Sequence, residues 1–347
     1  MNKSLAVKYR PQNFDDLVEQ DCIKAILLNQ LKTHTTKQAY LFCGPAGDGK
    51  TTSARIFANE INNGKGKPIE IDAASNNGVD DVRQIIEDSK RKPLDSEYKV
   101  FIIDECHQFS LGAHNAMLKL LEEPPKTAIF IMCTTDPQKI PNTILSRVQR
   151  FDFSKISTDG IFNRLKYICD TENKIRDRKD KIQYVDESLK LIANYAAGGM
   201  RNAITMLDKC ISLNTKLTVD NVVKAIGTVD YDTCSGLLQY LTDDKDIASS
   251  ISVIDDIYNS GVDLKQFFKT FQGFIIDVIN VKLFKSFDST ILPETGEMLD
   301  IINTLDYNEC ADILDLIIDI NSNVRWETDV KNYIKGRIIV YLSKINL

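Results

Sequence analysis

Cys43-Gly44-Pro45-Ala46-Gly47-Asp48-Gly49-Lys50-Thr51-Thr52 decides the reading of this chain, because it fits the phosphate-binding loop pattern and sits between a strand-like and a helix-like segment. Upstream, Ala39-Tyr40-Leu41-Phe42-Cys43 reads as a buried strand. Downstream, Ala54, Phe57, Ala58 and Ile61 recur at i, i+3, i+4 and i+7, which predicts an amphipathic helix from Lys50 to Asn62. Gly44, Gly47 and Gly49 let the backbone, with Pro45, Ala46 and Asp48 between them, fold closely around an anion at the positive end of that helix. The pattern predicts a nucleoside triphosphate ligand, with Lys50 at the β and γ phosphates and Thr51, followed by Thr52, at a magnesium ion.

Such a loop needs acidic partners on a second strand. Lys99-Val100-Phe101-Ile102-Ile103-Asp104-Glu105 is an apolar run ending in two carboxylates. Phosphoryl chemistry calls for one acid on Mg²⁺ and another on the attacking water, so Asp104 is expected to hold the metal and Glu105 the water. Further on, Ser110 opens a helix with the apolar stripe Ala113, Ala116, Met117, Leu120 and Leu121, stopped by Pro124-Pro125. Ala128-Ile129-Phe130-Ile131-Met132-Cys133 is continuous and apolar, as a strand covered on both faces should be. It ends in Thr134-Thr135-Asp136-Pro137, so either Thr134 or Thr135 is expected near the γ phosphate or the water. Strands alternating with helices imply an α/β domain with a mostly parallel sheet, its functional groups gathered at the strands' carboxyl ends.

At 347 residues, with 43% hydrophobic and 27% charged residues, the chain reads as an ordinary globular protein of two or three domains. No run approaches 18 apolar residues, and Met1-Asn2-Lys3-Ser4-Leu5 has no signal-type apolar region, which points to a cytoplasmic protein. The eight cysteines include no CxxC pair, so no zinc site is expected, and several fall at ends of apolar strands as small core residues. Net charge is −6, unevenly spread: residues 1–210 hold 31 Lys+Arg against 28 Asp+Glu, and residues 211–347 hold 12 against 21. The acidic excess is carboxy-terminal, which leaves room for local DNA contacts in the first part.

Taken together, these residues resemble the γ/τ subunit family of the bacterial DNA polymerase III clamp loader, AAA+ ATPases. The resemblance runs through Lys8-Tyr9-Arg10-Pro11-Gln12, the phosphate loop, Ile69-Glu70-Ile71-Asp72-Ala73-Ala74-Ser75-Asn76-Asn77-Gly78-Val79 and Ile103-Asp104-Glu105. It is most specific from Asn115 to Phe151, with Leu118-Lys119-Leu120-Leu121-Glu122-Glu123-Pro124-Pro125, Thr134-Thr135-Asp136-Pro137-Gln138-Lys139-Ile140-Pro141 and Ser146-Arg147-Val148-Gln149-Arg150-Phe151.

The resemblance implies a P-loop AAA+ core over residues 1–155, a helical lid over 156–222 and an all-helical collar for oligomerisation over 223–347. It implies ATP and Mg²⁺ as ligands, a spiral of clamp-loader subunits, a sliding clamp, and primer–template DNA held by its backbone. Arg147 matches the finger that completes a neighbour's ATP site in trans, and Arg201, in Gly198-Gly199-Met200-Arg201, matches a lid arginine acting in cis. Tyr9, Arg10 and Pro11, with Val18, match the segment lying across the adenine. Arg83, Lys90, Arg91 and Lys92 are the nearest basic candidates for DNA.

Two departures stand out. Relatives usually carry a four-cysteine zinc module where this chain has only Asn62-Asn63-Gly64-Lys65-Gly66-Lys67, and the finger motif reads Ser-Arg-Val in place of Ser-Arg-Cys. The resemblance implies a short form of the subunit, without the long τ extension. The implied activity is an ATPase motor that loads a ring clamp onto primed DNA. The alternatives are a non-hydrolysing scaffold subunit, against which Lys50, Thr51, Asp104 and Glu105 speak, and a branch-migration or helicase motor.

Overall fold

The computed structural model describes residues 3–226, 231–242, 245–287, 290, 292 and 296–345. The outermost residues of the expected first and last domains, 1–2 and 346–347, lie outside them. The chain divides into two compact units, Met1–Lys181 with Ile192–Asp208, and Ile182–Leu191 with Lys209–Leu347.

The first unit contains, in chain order, α1 (Leu5–Lys8), α2 (Asp21–Thr33), β1 (Ala39–Cys43), α3 (Lys50–Ile61), β2 (Ile69–Asp72), α4 (Val79–Lys90), β3 (Lys99–Asp104), α5 (Leu111–Glu122), β4 (Ala128–Thr134), α6 (Asn142–Leu145), β5 (Gln149–Asp152) and α7 (Thr158–Ile175). The five strands form one parallel sheet in the order β2-β3-β4-β1-β5. Alternation along the strands explains why their apolar runs are unbroken. Ala39, Leu41, Phe101, Ile103, Phe130 and Met132 enter the core on one face with α4 and α5. Tyr40, Phe42, Val100, Ile102, Ile129 and Ile131 enter the core on the other with α2 and α3. Tyr40 is fully buried, yet its hydroxyl donates to Gln30 Oε1 at 3.0 Å and accepts from the Lys37 N–H at 2.6 Å, so the ring carries no orphaned polar atom.

The strand order places β4 between β1 and β3, and parallel register aligns their carboxyl ends: Cys43 lies beside Thr134, while Asp104 closes β3 beside Asp72 of β2. The loop after β1, the acids after β3 and the threonines after β4 are therefore neighbours. Two local closures fix the surroundings. Ser110 caps α5 by accepting from the Ala113 N–H at 3.2 Å. Asn62, just past α3, pairs through its amide with both the N–H and the C=O of Tyr98, each at 2.9 Å. That pairing ties the short 62–67 connection to the start of β3.

The remaining elements are α8 (Asp186–Tyr195) and α9 (Met200–Leu213), each of which contributes residues to both units, then α10 (Val219–Ile226), α11 (Tyr231–Leu241), α12 (Ile247–Asn259), α13 (Leu264–Phe284), α14 (Gly296–Thr304), α15 (Tyr307–Asn323) and α16 (Val330–Ile345). The second unit also holds a parallel pair, β6 (Gln183–Tyr184) with β7 (Lys216–Leu217). It falls within 156–222, the stretch read from sequence as a helical lid; two residues per strand are too few to leave a period-2 signal. The charged segment 173–181 begins inside α7, which runs on to Ile175. Helices α11 to α16 share one core, with α13 at its centre: Phe267, Phe271 and Phe274 stack at centroid spacings of 5.7 and 6.2 Å. Asp246, Asp263 and Asp306 cap α12, α13 and α15 through their carboxylates. Seven of the eight cysteines are buried and Cys22 is exposed. Burial pushes the Cys43 thiol up to about 11 and the Cys169 thiol up to about 12.

Candidate nucleotide site

A cavity of about 250 Å³ opens at the carboxyl ends of β1 and β3, wholly within the first unit. Its floor is the loop Ala46-Gly47-Asp48-Gly49 with Lys50, Thr51 and Thr52 of α3. Asp104, Glu105 and Thr135 form one wall. Tyr9, Arg10, Pro11, Leu17 and Val18 form another, and Met200, Arg201 and Ile204 of α9 close it with Ile156 and Arg164. Gly44 and Pro45, Thr134 and Arg147 do not line it.

The loop geometry demands its glycines. Gly47 has φ +83°, and a Cβ there would come within 3.2 Å of Gly199 Cα; its carbonyl accepts from the Met200 N–H at 3.0 Å, tying the loop to the first turn of α9. Gly49 has φ +100° and is the N-cap of α3, so it offers no capping side chain, and the first N–H of the helix, that of Lys50, is taken by Asp48 Oδ1 at 3.2 Å. Lys50 is buried, with its ammonium on three oxygens: Gly44 O at 2.8 Å, Pro45 O at 2.6 Å and Asp48 Oδ1 at 3.0 Å. All three contacts lie within the loop. Burial pushes the Asp48 carboxyl up, and Lys50 pulls it back in part.

Beside the loop, the Thr51 hydroxyl donates to Asp104 Oδ2 at 2.9 Å. A hydroxyl and a carboxylate in contact, both hard oxygen donors, fit a Mg²⁺ ion that takes its other ligands from phosphate and water. No group of three or more His, Cys, Asp or Glu side chains placed to hold a metal occurs among the described residues.

Glu105 lies past the end of β3, not in it as the sequence suggested. Its backbone is left-handed, φ 48°, which ends the strand and turns its carboxylate toward β4. There Glu105 Oε2 accepts from the Thr135 hydroxyl at 2.9 Å and the Thr135 N–H at 3.3 Å. Thr134 is fully buried and bonded through its hydroxyl to His107 Nδ1 at 3.0 Å and to the Asp136 N–H at 3.0 Å. Of the two threonines, Thr135 is the one in the cavity.

The amino-terminal wall has an anchor that the sequence reading missed. Glu172 of α7, buried, accepts from Lys8 Nζ at 2.6 Å, the Tyr9 hydroxyl at 2.7 Å and Arg176 Nε at 3.2 Å. Burial pushes the Glu172 carboxyl up, but these three donors outweigh it and hold the group below its ordinary value. Burial, then the Glu172 contact, pushes the Tyr9 hydroxyl well up. Arg164 donates to Tyr9 O at 3.0 Å. Glu172 lies more than 160 residues from Tyr9, and no local pattern points to that pairing.

Arg147 follows α6 on the surface, donating to Thr143 O at 2.7 Å and to Glu122 Oε1 at 2.7 Å. Of the basic candidates for DNA, Arg83, Lys90 and Arg91 each pair with an acid three residues earlier, Asp80, Glu87 and Asp88.

Among solved structures, the chain is similar to the RuvB Holliday junction branch migration motor of Thermotoga maritima, with a TM-score of 0.52 over 67% of this chain and 79% of that one, at 19% identity. The five-stranded parallel sheet with its phosphate loop is an α/β P-loop fold, shared with that structure. A family profile described as "DNA polymerase III, delta subunit" matches residues 62–157. The chain is 36% identical to DNA polymerase III subunit gamma of Buchnera aphidicola subsp. Acyrthosiphon pisum, over 76% of each chain. It is 41% identical to DNA polymerase III subunit tau of Bacillus subtilis, over 74% of this chain and 48% of that one, and 34% identical to subunit tau of Escherichia coli, over 69% and 39%. The protein belongs to the DNA polymerase III gamma/tau family. It spans about half the length of the Bacillus subtilis relative that it matches. No described helix is long and apolar enough to cross a membrane.

Proposed function

We propose that the chain is the ATP-hydrolysing motor subunit of a clamp loader that places a sliding clamp on primer–template DNA in the cytoplasm. The observation that carries this reading is the convergence, in one cavity, of the Lys50 loop, the Thr51–Asp104 pair and the Thr135–Glu105 pair. Family membership supplies the process.

In this reading the loop backbone and the α3 N-terminus bind the phosphates, and Tyr9, Arg10, Pro11 and Val18 flank the base. Thr51 and Asp104 hold Mg²⁺, which when bound neutralises phosphate charge. Glu105 orients the attacking water and takes its proton, with the carboxylate held by Thr135. Arg201 contributes positive charge from the same chain. Arg147 lies outside the cavity, which supports a role at a neighbouring subunit's site, where an arginine stabilises charge on the transferring phosphoryl group. Residues 1–155 would act as the motor core, 156–222 as a lid and 223–347 as the collar.

Steady-state ATP hydrolysis, measured with partner subunits, the cognate clamp and primed DNA, tests the reading. Stimulation by clamp and DNA that disappears in Arg147→Ala is the expected result. Hydrolysis indifferent to both, with the variant equal to wild type, would point to a differently assembled motor. Binding without hydrolysis would leave the scaffold reading.

A further inference from the structure

Lys50 carries three N–H donors, and all three are spent inside its own loop, on Gly44 O, Pro45 O and Asp48 Oδ1. Asp48 is the charged partner of the three and is 1% exposed. Its Oδ1 takes the Lys50 ammonium at 3.0 Å and the Lys50 N–H at 3.2 Å, while its Oδ2, equally buried, has no hydrogen-bond partner. A Cβ built on Gly44 would lie 2.3 Å from that Oδ2, so the carboxylate is wedged against the loop backbone. The loop's one cation is thereby neutralised within the loop itself.

We propose that Asp48 is a built-in competitor for Lys50, so that nucleotide binding is an exchange in which the ammonium leaves a buried carboxylate for phosphate. The inference rests on the nucleotide-binding reading above and adds a positioning residue to it. When Lys50 turns to phosphate, Asp48 stays where the backbone holds it, a buried anion with one acceptor already orphaned and the other losing its charged donor. That cost is charged against binding, and it grows with the demand that the ligand makes on Lys50. Asp48 therefore lowers affinity in proportion to phosphate number and leaves recognition of the base untouched.

The experiment is calorimetric titration of the whole chain with MgATP, ADP and adenosine, in wild type, Asp48→Asn and Asp48→Thr, with Lys50→Ala as a reference. Asparagine keeps the shape and the acceptor for the Lys50 N–H while removing the charge. Binding of MgATP should tighten in Asp48→Asn by roughly tenfold to a hundredfold, the range of one hydrogen bond to a charged group, which the exchange no longer has to break. ADP should gain less, and adenosine should not change. Lys50→Ala should cost more affinity in the Asp48→Asn background than in wild type. Equal or weaker MgATP binding, or one uniform shift for all three ligands, would overturn the proposal, since a merely structural role has no reason to track phosphate number. Failure of both variants to fold would overturn it too, because a competitor for Lys50 is dispensable to the fold. Wild type that binds MgATP no better than Lys50→Ala would instead remove the nucleotide reading itself.

Discussion

The Thr135 hydroxyl donates to Glu105 Oε2 at 2.9 Å, joining the residue that leaves β3 to the residue that leaves β4. The bond is the shortest one holding the carboxylate at the cavity wall, and its loss would leave Oε2 only the Thr135 N–H and His107 Nδ1, each at 3.3 Å. Thr135→Val removes the donor at nearly constant volume. A hydrogen bond to a charged group is worth about 1.5–3 kcal/mol, so kcat for ATP should fall roughly tenfold to a hundredfold while nucleotide affinity stays close to wild type. Single-turnover hydrolysis beside equilibrium binding separates the two; an affinity loss with kcat intact would remove Thr135 from the catalytic wall.

Arg147 is paired with Glu122 on its own subunit's surface. In an assembled loader Arg147→Ala should lower hydrolysis by about 10³–10⁵-fold, the range measured for arginine fingers. The isolated chain should bind MgATP as wild type does, because Arg147 lies outside its own cavity. Equal affinity losses in the isolated and assembled forms would place the arginine in cis.

Glu172 anchors Lys8 and Tyr9, and its carboxyl is held below its ordinary value. A depressed carboxylate stabilises the fold fully above its unfolded pKa of about 4.3, and that contribution is lost as pH falls through the lower folded value. Glu172→Gln should therefore cost about 1.5–3 kcal/mol near pH 7, with the gap to wild type narrowing below about pH 4. Urea unfolding at several pH values measures this. A gap independent of pH would mean that the charge on Glu172 contributes nothing.

Asn62 is largely buried and supplies the partner for the Tyr98 N–H, whereas Tyr98 O keeps a second donor in Ser96 Oγ at 3.0 Å. Asn62→Ala leaves one half-buried donor unpaired and should destabilise the first unit by about 1 kcal/mol. The urea midpoint reports it, and Asn62→Asp, which keeps the acceptor, should recover part of the loss.

Much of this architecture is legible in the chain itself, because its signals are local. The runs 39–43, 99–104 and 128–134 are apolar on both faces and became the three central strands; the helix read from Lys50 became α3, ending one residue sooner, where Asn62 turns to Tyr98. Edge strand β2 has three of its four residues exposed, and its signal is correspondingly weak. The site divides along the same line. That Lys50, Thr51 and Asp104 border one cavity follows from spacing, because a loop, a helix start and a strand end fix where each residue sits. Which of Thr134 and Thr135 faces the cavity depends on the left-handed turn at Glu105 and on His107, neither of which periodicity encodes. Glu172 and Asp48 were missed as partners for a different reason. Burial and pairing arise from the folded backbone, and a carboxylate in a sequence carries no mark of either.

The cysteine distribution gives the molecule an experimental handle. Cys22 is exposed near the start of α2, while the other seven thiols are buried, with those of Cys106 and Cys133 held far above their ordinary values by burial. A maleimide dye or spin label should therefore attach at one position without any cysteine being removed. That position is firmly mounted: two residues earlier the Gln20 amide bonds to Ser154 O at 2.7 Å, just past the edge strand β5. A probe there would ride with the sheet, and distances measured from it between copies in an assembly would report domain placement with little contribution from movement of the segment that carries it.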